Sequence, residues 1–448
     1  MGALGVLGVL FGQNGEGGDP LIAGGVHWAS LLIIAIRVLV AFGALLGSVT
    51  LMIWFERKLI SDMQDRIGPN RAGPFGLLQT LADGIKLFFK EDLQPEQADP
   101  FVFKLAPYLA IVPALVAFTI VPVGGYVTVA SHTFELQVAD PPIGILLLLA
   151  MSSISVYGVM LAGWASGSKY PLLGSVRASA QMISYEAALG LSIVTTIVVT
   201  GTAATVGSLS TRAIVESQAR HFWDWNVLRL GVVPFIIFLV AITAELNRPP
   251  FDLAEAEQEL VGGFHTEYSS IRFALFFMAE FMNTITMSAV VVTLFFGGPD
   301  GPVPHIYVLD WIFPILWFLA KTFVFLFIYV WLRAALPRLR YDQLMDLGWK
   351  FLIPVSLAWL LFVAVVLIFG GGWQFWVTLV VVLLAGGLLL RAVQVGRTRT
   401  ANVDVFGPGG GSPTVTPPGG LRSSGSDSGG LHSSGGLHSS GTSSGEAR

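Results

Sequence analysis

The sequence predicts an all-α polytopic membrane protein with about nine transmembrane helices, an interfacial amphipathic helix and a disordered C-terminal tail. Three observations carry that expectation. Charged residues fill 12% of the 448 positions, against roughly 25% in an ordinary soluble chain. Hydrophobic residues fill 54%, and the mean hydropathy is +0.71. The charges gather in a few segments, and the stretches between them are long enough to cross a bilayer.

A spanning helix takes about 20 mainly apolar residues, because the hydrocarbon core is ~30 Å thick and each helical residue rises ~1.5 Å. Nine stretches qualify: Trp28 to Phe55, Leu105 to Val123, Pro142 to Trp164, Ala187 to Leu209, Val227 to Glu245, Phe273 to Phe296, Trp311 to Leu332, Phe351 to Phe369 and Trp373 to Leu390. The last two form one uncharged run divided by Gly370, Gly371 and Gly372, which fits a tight helical hairpin. With the N-terminus outside, 19 Lys and Arg residues fall in inside segments, against 3 outside, Arg212, Arg220 and Arg229. Cytoplasmic loops retain such residues. The expected arrangement in a cell membrane is an outside segment 1–27, a transmembrane domain 28–396 and a cytoplasmic tail 397–448.

The start lacks a basic region, its first cation being Arg37, and does not read as a cleaved signal peptide. The tail repeats GGLRSS and GGLHSS among Gly, Ser, Pro and Thr. Such a segment cannot bury enough apolar area to offset its ordering entropy, and His432 and His438 read there as solvated side chains.

The chain has 0 cysteines. Clusters, thiolate zinc sites and disulfides all need them, so any electron carrier is expected in a partner. His27, His132, His221 and His305 are scattered and form no ligand cluster, and no metal is expected. The net charge of −4 describes no nucleic-acid binder.

Chemistry is expected in the inside loops, at 56–104, 165–186, 245–272 and 333–350. The first is punctuated by Gly68, Pro69, Gly73, Pro74 and Gly76 into a fixed turn. An amphipathic helix follows, with Phe75, Leu78, Leu81, Ala82, Ile85, Phe88 and Phe89 on one side and Gln79, Asp83, Lys86 and Lys90 on the other. It reads either as a surface anchor with snorkelling lysines or as one wall of a chamber that admits an amphiphile from the lipid. The loop Ser166 to Gln181 leads to Tyr185 and Glu186 at the mouth of the fourth span. In the next, Pro249 and Pro250 end the fifth span, and Asp252 with Glu255 has capping-box spacing. A helix starting there places Asp252, Glu255 and Glu259 on one face with Arg248 as the nearby cation. Three like charges on one face are unfavourable, so at least one carboxyl should exchange protons near neutral pH if the loop is partly buried. The other reading is a solvated acidic loop.

Within the spans the ionisable groups are Arg37, Glu186, Glu245, Glu280 and Lys321, with Lys104 at an edge. A charge at mid-helix costs ~2.5–3.5 kcal/mol even on the lenient insertion scale, so each is a functional candidate. Glu280 and Lys321 read equally as an ion pair or as steps of a proton relay.

These loops resemble the H subunit of proton-pumping NADH-quinone oxidoreductase (respiratory complex I), the NADH dehydrogenase subunit 1 family. The resemblance runs from about Trp54 to Leu352 through ERK, DRIGPNRAGPFGLLQ, ADGIKLFFKE, RASAQMISYE, AELNRPPFDLAEAEQELVGGFHTEYS, RFALFFMAE and PRLRYDQLMDLGWK. It implies a membrane subunit that forms much of a quinone chamber and couples quinone reduction to proton translocation. Quinone is the implied substrate. FMN and iron–sulfur clusters would reside in partner subunits and none in this chain. The implied partners are the peripheral-arm quinone-site and iron–sulfur subunits and the antiporter-like membrane subunits. The family's quinone-cavity and acidic-loop positions carry over to Gln64, Arg66, Arg248, Asp252, Glu255, Glu257 and Glu259, and its buried relay glutamates to Glu186, Glu245 and Glu280. No residue is expected to be catalytic by itself.

Two features depart from the family pattern: a ninth span with the tail, and a third span without any acidic residue between Pro141 and Ser168. The alternatives are the membrane subunit of a related energy-converting hydrogenase or other electron-input complex, and a stand-alone ion transporter. Inverted repeats would mark the transporter, and the sequence shows none.

Overall fold

The computed structural model describes residues 28–369 except 130–131, 202–208, 220, 230, 254–256 and 303–310. Residues 1–27, expected outside, the expected ninth span and the tail lie outside the described residues. Seven described helices are long and apolar enough to cross a membrane, and Val232–Glu245 is a further, shorter apolar helix.

Helix α1 (Trp28–Met63) has 36 residues, about 54 Å of length against a core of ~30 Å, so its end projects beyond the hydrocarbon. That end carries Glu56, Arg57 and Lys58. The chain then turns sharply. Gly76 has φ +78°, and a Cβ there would lie 2.4 Å from the Pro69 carbonyl oxygen, so only glycine fits.

Helix α2 (Gln79–Phe89) is the expected amphipathic helix. Leu78 before it and Leu81, Ile85, Phe88 and Phe89 along it are all exposed. Arg57 of α1 pairs with its Asp83, and the Ser270 hydroxyl donates to the carbonyls of Leu87 and Lys90 at 3.0 and 2.8 Å. An ion pair thus ties one end and a hydroxyl cap the other.

Helix α3 (Pro100–Phe118) starts where the Asp99 carboxylate accepts from the amides of Phe101 and Val102. That N-cap satisfies two donors the helix cannot. A two-stranded hairpin, β1 (Tyr126–Val129) with β2 (His132–Glu135), follows at the far end. Helix α4 (Gly144–Ala165) packs closely on α3, because a Cβ at Gly158 would come within 2.8 Å of the Ala110 amide.

Helix α5 (Lys169–Gly201) begins 18 residues before the expected fourth span. The expected loop Ser166 to Gln181 is therefore mostly helix, and Glu186 lies well inside α5, not at its mouth. The reason is packing: Gly163 lets Ser175 and Pro171 approach so closely that a Cβ would overlap both, and Ser175, Ala178 and Gln181 are buried. Polar residues on the buried face make this stretch read as loop.

Two short helices, α6 (Thr211–Gln218) and α7 (Asn226–Arg229), lead into α8 (Val232–Glu245). The short α9 (Glu257–Leu260) precedes α10 (Ser270–Phe295), the most deeply buried of the long helices. Then come α11 (Ile312–Ala335), α12 (Tyr341–Leu347), a π turn (Gly348–Leu352) and α13 (Ile353–Phe369).

The one-face acidic helix expected from Asp252 falls partly outside the described residues: Asp252 and Leu253 are non-helical, residues 254–256 are not described, and α9 is described from Glu257. Tertiary hydrogen bonds hold the chain just before it. The Gln181 amide donates to the carbonyls of Ala244 and Phe251 at 2.7 and 2.8 Å, and the Leu339 amide donates to that of Pro250 at 3.0 Å. Glu255 lies outside the described residues, as does the side chain of Glu257.

Candidate functional site: a cavity joined to buried carboxylates

The projecting end of α1, the glycine-rich turn, α10 and the end of α11 enclose a cavity of about 630 Å³. Its lining includes Glu56, Arg57, Ser61, Gln64, Arg66, Phe277, Phe281 and Arg333. Gln64 and Arg66 lie exposed at its rim. The backbone fixes the Arg66 position, since its amide donates to the Ser61 carbonyl at 2.9 Å. Aromatic faces beside one carboxylate and three guanidinium groups suit a flat molecule with polar oxygens.

Glu56 is the buried member of this wall. Its carboxylate accepts from Arg333, which shares the cavity, and from Arg248 at 3.2 Å. Arg248 is buried, with its guanidinium 4.4 Å from the ring of Phe281, and its Nε lies 2.9 Å from Glu280. Arg333, Glu56, Arg248 and Glu280 therefore form one row of alternating charge leading from the cavity into the helices. In that row each buried charge has an opposite neighbour, as burial demands.

Glu280 also borders a second, inner cavity of about 60 Å³, lined with Glu245, Asn247, His265 and Asn283. These polar groups stand among Phe264, Phe273, Phe276 and Phe277, and the volume is enough for waters at about 10–15 Å³ each beside them. A third cavity of about 20 Å³ touches Glu245, Ser152, Asn283 and Thr286. Glu245 accepts a hydrogen bond from Ser152, and Glu186 accepts one from Ser153. The third span, α4, thus supplies hydroxyls in place of a carboxyl. Burial pushes the His265 imidazole down to about 4, so it stands neutral at physiological pH.

The fold brings Gln64, Arg66, Arg248, Glu280 and Glu245 into one connected region and places Glu186 beside it. Asp252 and Glu259 stand apart from the 630 Å³ cavity. Asp252 pairs with Arg338 and Glu259 with Arg177, each at 2.8 Å. Repulsion between those carboxylates loses its premise once each has a cation from a distant segment. Lys321 does not meet Glu280. Its ammonium donates to the carbonyls of Phe296, Gly298 and Asp300 at 2.8, 3.1 and 2.7 Å and sits 4.8 Å from the Trp225 ring, capping the far end of α10.

Sequence reasoning misses Glu56, Arg333, Ser152, Ser153 and His265. Glu56 and Arg333 directly follow apolar runs and fall to the loops in a hydropathy reading, although a helix that outlasts its hydrophobic stretch keeps such residues in register with its buried face. The adjacent serines in an apolar stretch are a readable signal.

The NADH dehydrogenase family matches residues 36–364 of this chain. The NADH-quinone oxidoreductase H subunit of Frankia alni is 49% identical over 355 residues, covering 78% of this chain and 74% of the relative. The NADH-quinone oxidoreductase H 2 subunit of Koribacter versatilis is 49% identical over 341 residues, covering 73% and 95%. The cavity, the charge row and the buried glutamates all lie inside the matched region. The chain therefore belongs to the NADH dehydrogenase family, as an H-type membrane subunit of NADH-quinone oxidoreductase.

Proposed function

We propose that this chain forms much of the quinone chamber of a proton-translocating NADH-quinone oxidoreductase and couples quinone reduction to proton translocation. The observation that carries the reading is Arg248, a buried cation shared between Glu56 on the cavity wall and Glu280 on the inner cavity. The electrons come from partner subunits that hold FMN and iron–sulfur clusters, because this chain has 0 cysteines with which to hold a cluster. The partners meet its inside loops, where Asp252 and Glu259 with their arginines set the shape of the surface.

Reducing a quinone to a quinol takes two electrons and two protons. Negative charge arising on the quinone oxygens draws Arg333 and Arg66, both cavity-lining guanidinium groups. Glu56 then depends more on Arg248, and Glu280 is left with less compensation. A carboxylate that loses its cation takes up a proton. The inner cavity supplies that proton, so a charge change in the chamber becomes proton movement among Glu280, Glu245 and Glu186. The chain acts in the cell membrane with its N-terminus outside and its tail in the cytoplasm.

The test is NADH-dependent, inhibitor-sensitive quinone reduction by the purified complex, with proton uptake followed in vesicles. Glu56→Gln should keep the fold of the wall but uncouple the row, lowering quinone reduction and lowering pumping further, so that fewer protons move per electron. A complex that reduces and pumps at wild-type rates with Glu56→Gln would sink the reading. Arg66→Lys keeps the charge but not the planar fork, and should slow quinone reduction while assembly persists.

A further inference from the structure

We propose that Ser152 and Ser153, neighbours on α4, pass protons between Glu245 and Glu186, so that two hydroxyls bridge the helix that carries no carboxyl. This rests on the coupling reading above and adds the residues that position the glutamates and join their proton paths. The two glutamates stand on different helices, Glu245 at the end of α8 and Glu186 within α5. Ser152 donates to Glu245 and Ser153 donates to Glu186. Successive residues of a helix project about 100° apart, so one turn of α4 addresses two neighbouring helices at one level.

A serine inside a helix commonly bonds back to the carbonyl four residues earlier. Ser179, Ser184 and Ser288 all do so here. Ser152 and Ser153 point at carboxylates instead. The residues directly flanking them are apolar, Met151 and Ile154, and Ser155 follows one turn on at the wall of both small cavities.

A hydroxyl has one donor and two acceptor sites. For a proton moving from Glu245 to Glu186, the Ser152 oxygen takes the proton as the Ser152 hydrogen leaves for the Ser153 oxygen and the Ser153 hydrogen leaves for Glu186, so each hydroxyl gains one proton and loses one. The supply side is also present. Oε2 of Glu245 has no hydrogen-bond partner among the described residues, and Glu245 borders both the cavity of about 60 Å³ that reaches Glu280 and the cavity of about 20 Å³ that touches Ser152. The path thus runs from Glu280 through the inner cavity to Glu245, across the serine pair, and on to Glu186.

The experiment uses the whole purified complex in vesicles, with rates scaled to complex content. In the double variant Ser152→Ala with Ser153→Ala, coupled quinone reduction and proton pumping should fall roughly tenfold, the factor set by losing a hydrogen bond to a charged group. The Ser152→Thr with Ser153→Thr variant keeps both hydroxyls and should restore most of the rate. The infrared carboxyl band that changes on reduction should shift in the alanine variant and not in the threonine one. If the double variant assembles poorly, each single alanine variant is measured by the same readouts. Wild-type pumping with an unshifted carboxyl band in the alanine variants overturns the proposal while leaving the coupling reading intact. A wild-type complex that reduces quinone without pumping overturns the coupling reading itself, whatever the serines do.

Discussion

The two ends of α10 carry polar networks of opposite kinds. At the end near Phe295, side chains bind backbone. Gln218 donates to the Thr293 carbonyl at 3.0 Å, Asn226 donates to that of Leu294 at 2.7 Å, and Lys321 collects three more carbonyls. In the half that begins at Ser270, side chains bind side chains, with Glu280, Arg248, Glu56 and Arg333 in a row beside a large cavity. A carbonyl cannot change its charge, so the acceptors of the first network can only hold a shape. Carboxylates can change theirs, so the second can hold a shape and also respond to a charge placed in the cavity. Position within the membrane does not separate the two; the identity of the acceptor does.

The strongest way to break this contrast is Arg248→Met. It leaves Glu56 with Arg333 alone and takes from Glu280 the cation 2.9 Å away, and removing one partner of such a buried network costs about 3–5 kcal/mol. The chain should be nearly absent from assembled complex, measured by its content in purified membranes. Adding Glu56→Gln and Glu280→Gln removes both carboxylate charges and should restore assembly without restoring coupled quinone reduction. Lys321→Met, at the other end, strips a charged donor from three carbonyls and should cost about 2–3 kcal/mol. The complex that does assemble should pump with the wild-type ratio of protons to electrons. A changed ratio would mean that the capped end also takes part in coupling.

The helical membrane fold was legible because hydropathy acts locally: a run of 20 apolar residues has few other destinations than a bilayer or a core. The amphipathic α2 was legible for the same reason, its spacing being a property of adjacent residues. The start of α5 was not, because Lys169 to Gln181 looks polar until Gly163 and Ser175 bring α4 against it. Glu280 and Arg248 could be marked as costly charges, but nothing in the chain between them says that they meet. Arg333 reaches Glu56 across 277 positions, and Arg338 reaches Asp252 across 86. Such pairings belong to the packing of helices, so the cations that meet Asp252 and Glu259 are not legible beside them in the sequence.

A smaller effect should come from His265, which lines the inner cavity. Burial lowers its imidazole to about 4, against about 6.5 in an unfolded chain. The unfolded state therefore binds the proton first as pH falls, and stability should be full above pH ~6.5 and decline toward pH ~4. The loss reaches at most about 3 kcal/mol at pH ~4 for a shift of that size, and less here because the ring is partly open to solvent. His265→Gln has no proton to gain and should flatten the decline, read as the thermal midpoint of the purified complex between pH 7 and pH 5. An unchanged slope would show that the ring gains its proton without cost and is more solvated than its place between Phe264 and Phe273 indicates.

The smallest effect is expected at Glu259, and it sharpens the contrast from outside the row. Its carboxylate meets Arg177 at 2.8 Å, but the side chain is 53% exposed and lies apart from the large cavity. A pair so open to water is screened, holds two flexible side chains in one geometry, and contributes roughly 0.2–1 kcal/mol. Arg177 also rests over the ring of Tyr341 at 5.4 Å, so it keeps a partner when the carboxylate is neutralised. Glu259→Gln should therefore shift the thermal midpoint by only a degree or two, which corresponds to about 1 kcal/mol or less in a chain this size. Its ratio of pumped protons to electrons should equal that of wild type across pH 6 to 9, whereas Glu56→Gln should lower it. If Glu259→Gln lowers the ratio as much as Glu56→Gln does, then charge on that exposed surface acts on the row from a distance. The dividing line would then run between carboxylates of either location and the carbonyl-bound end of α10.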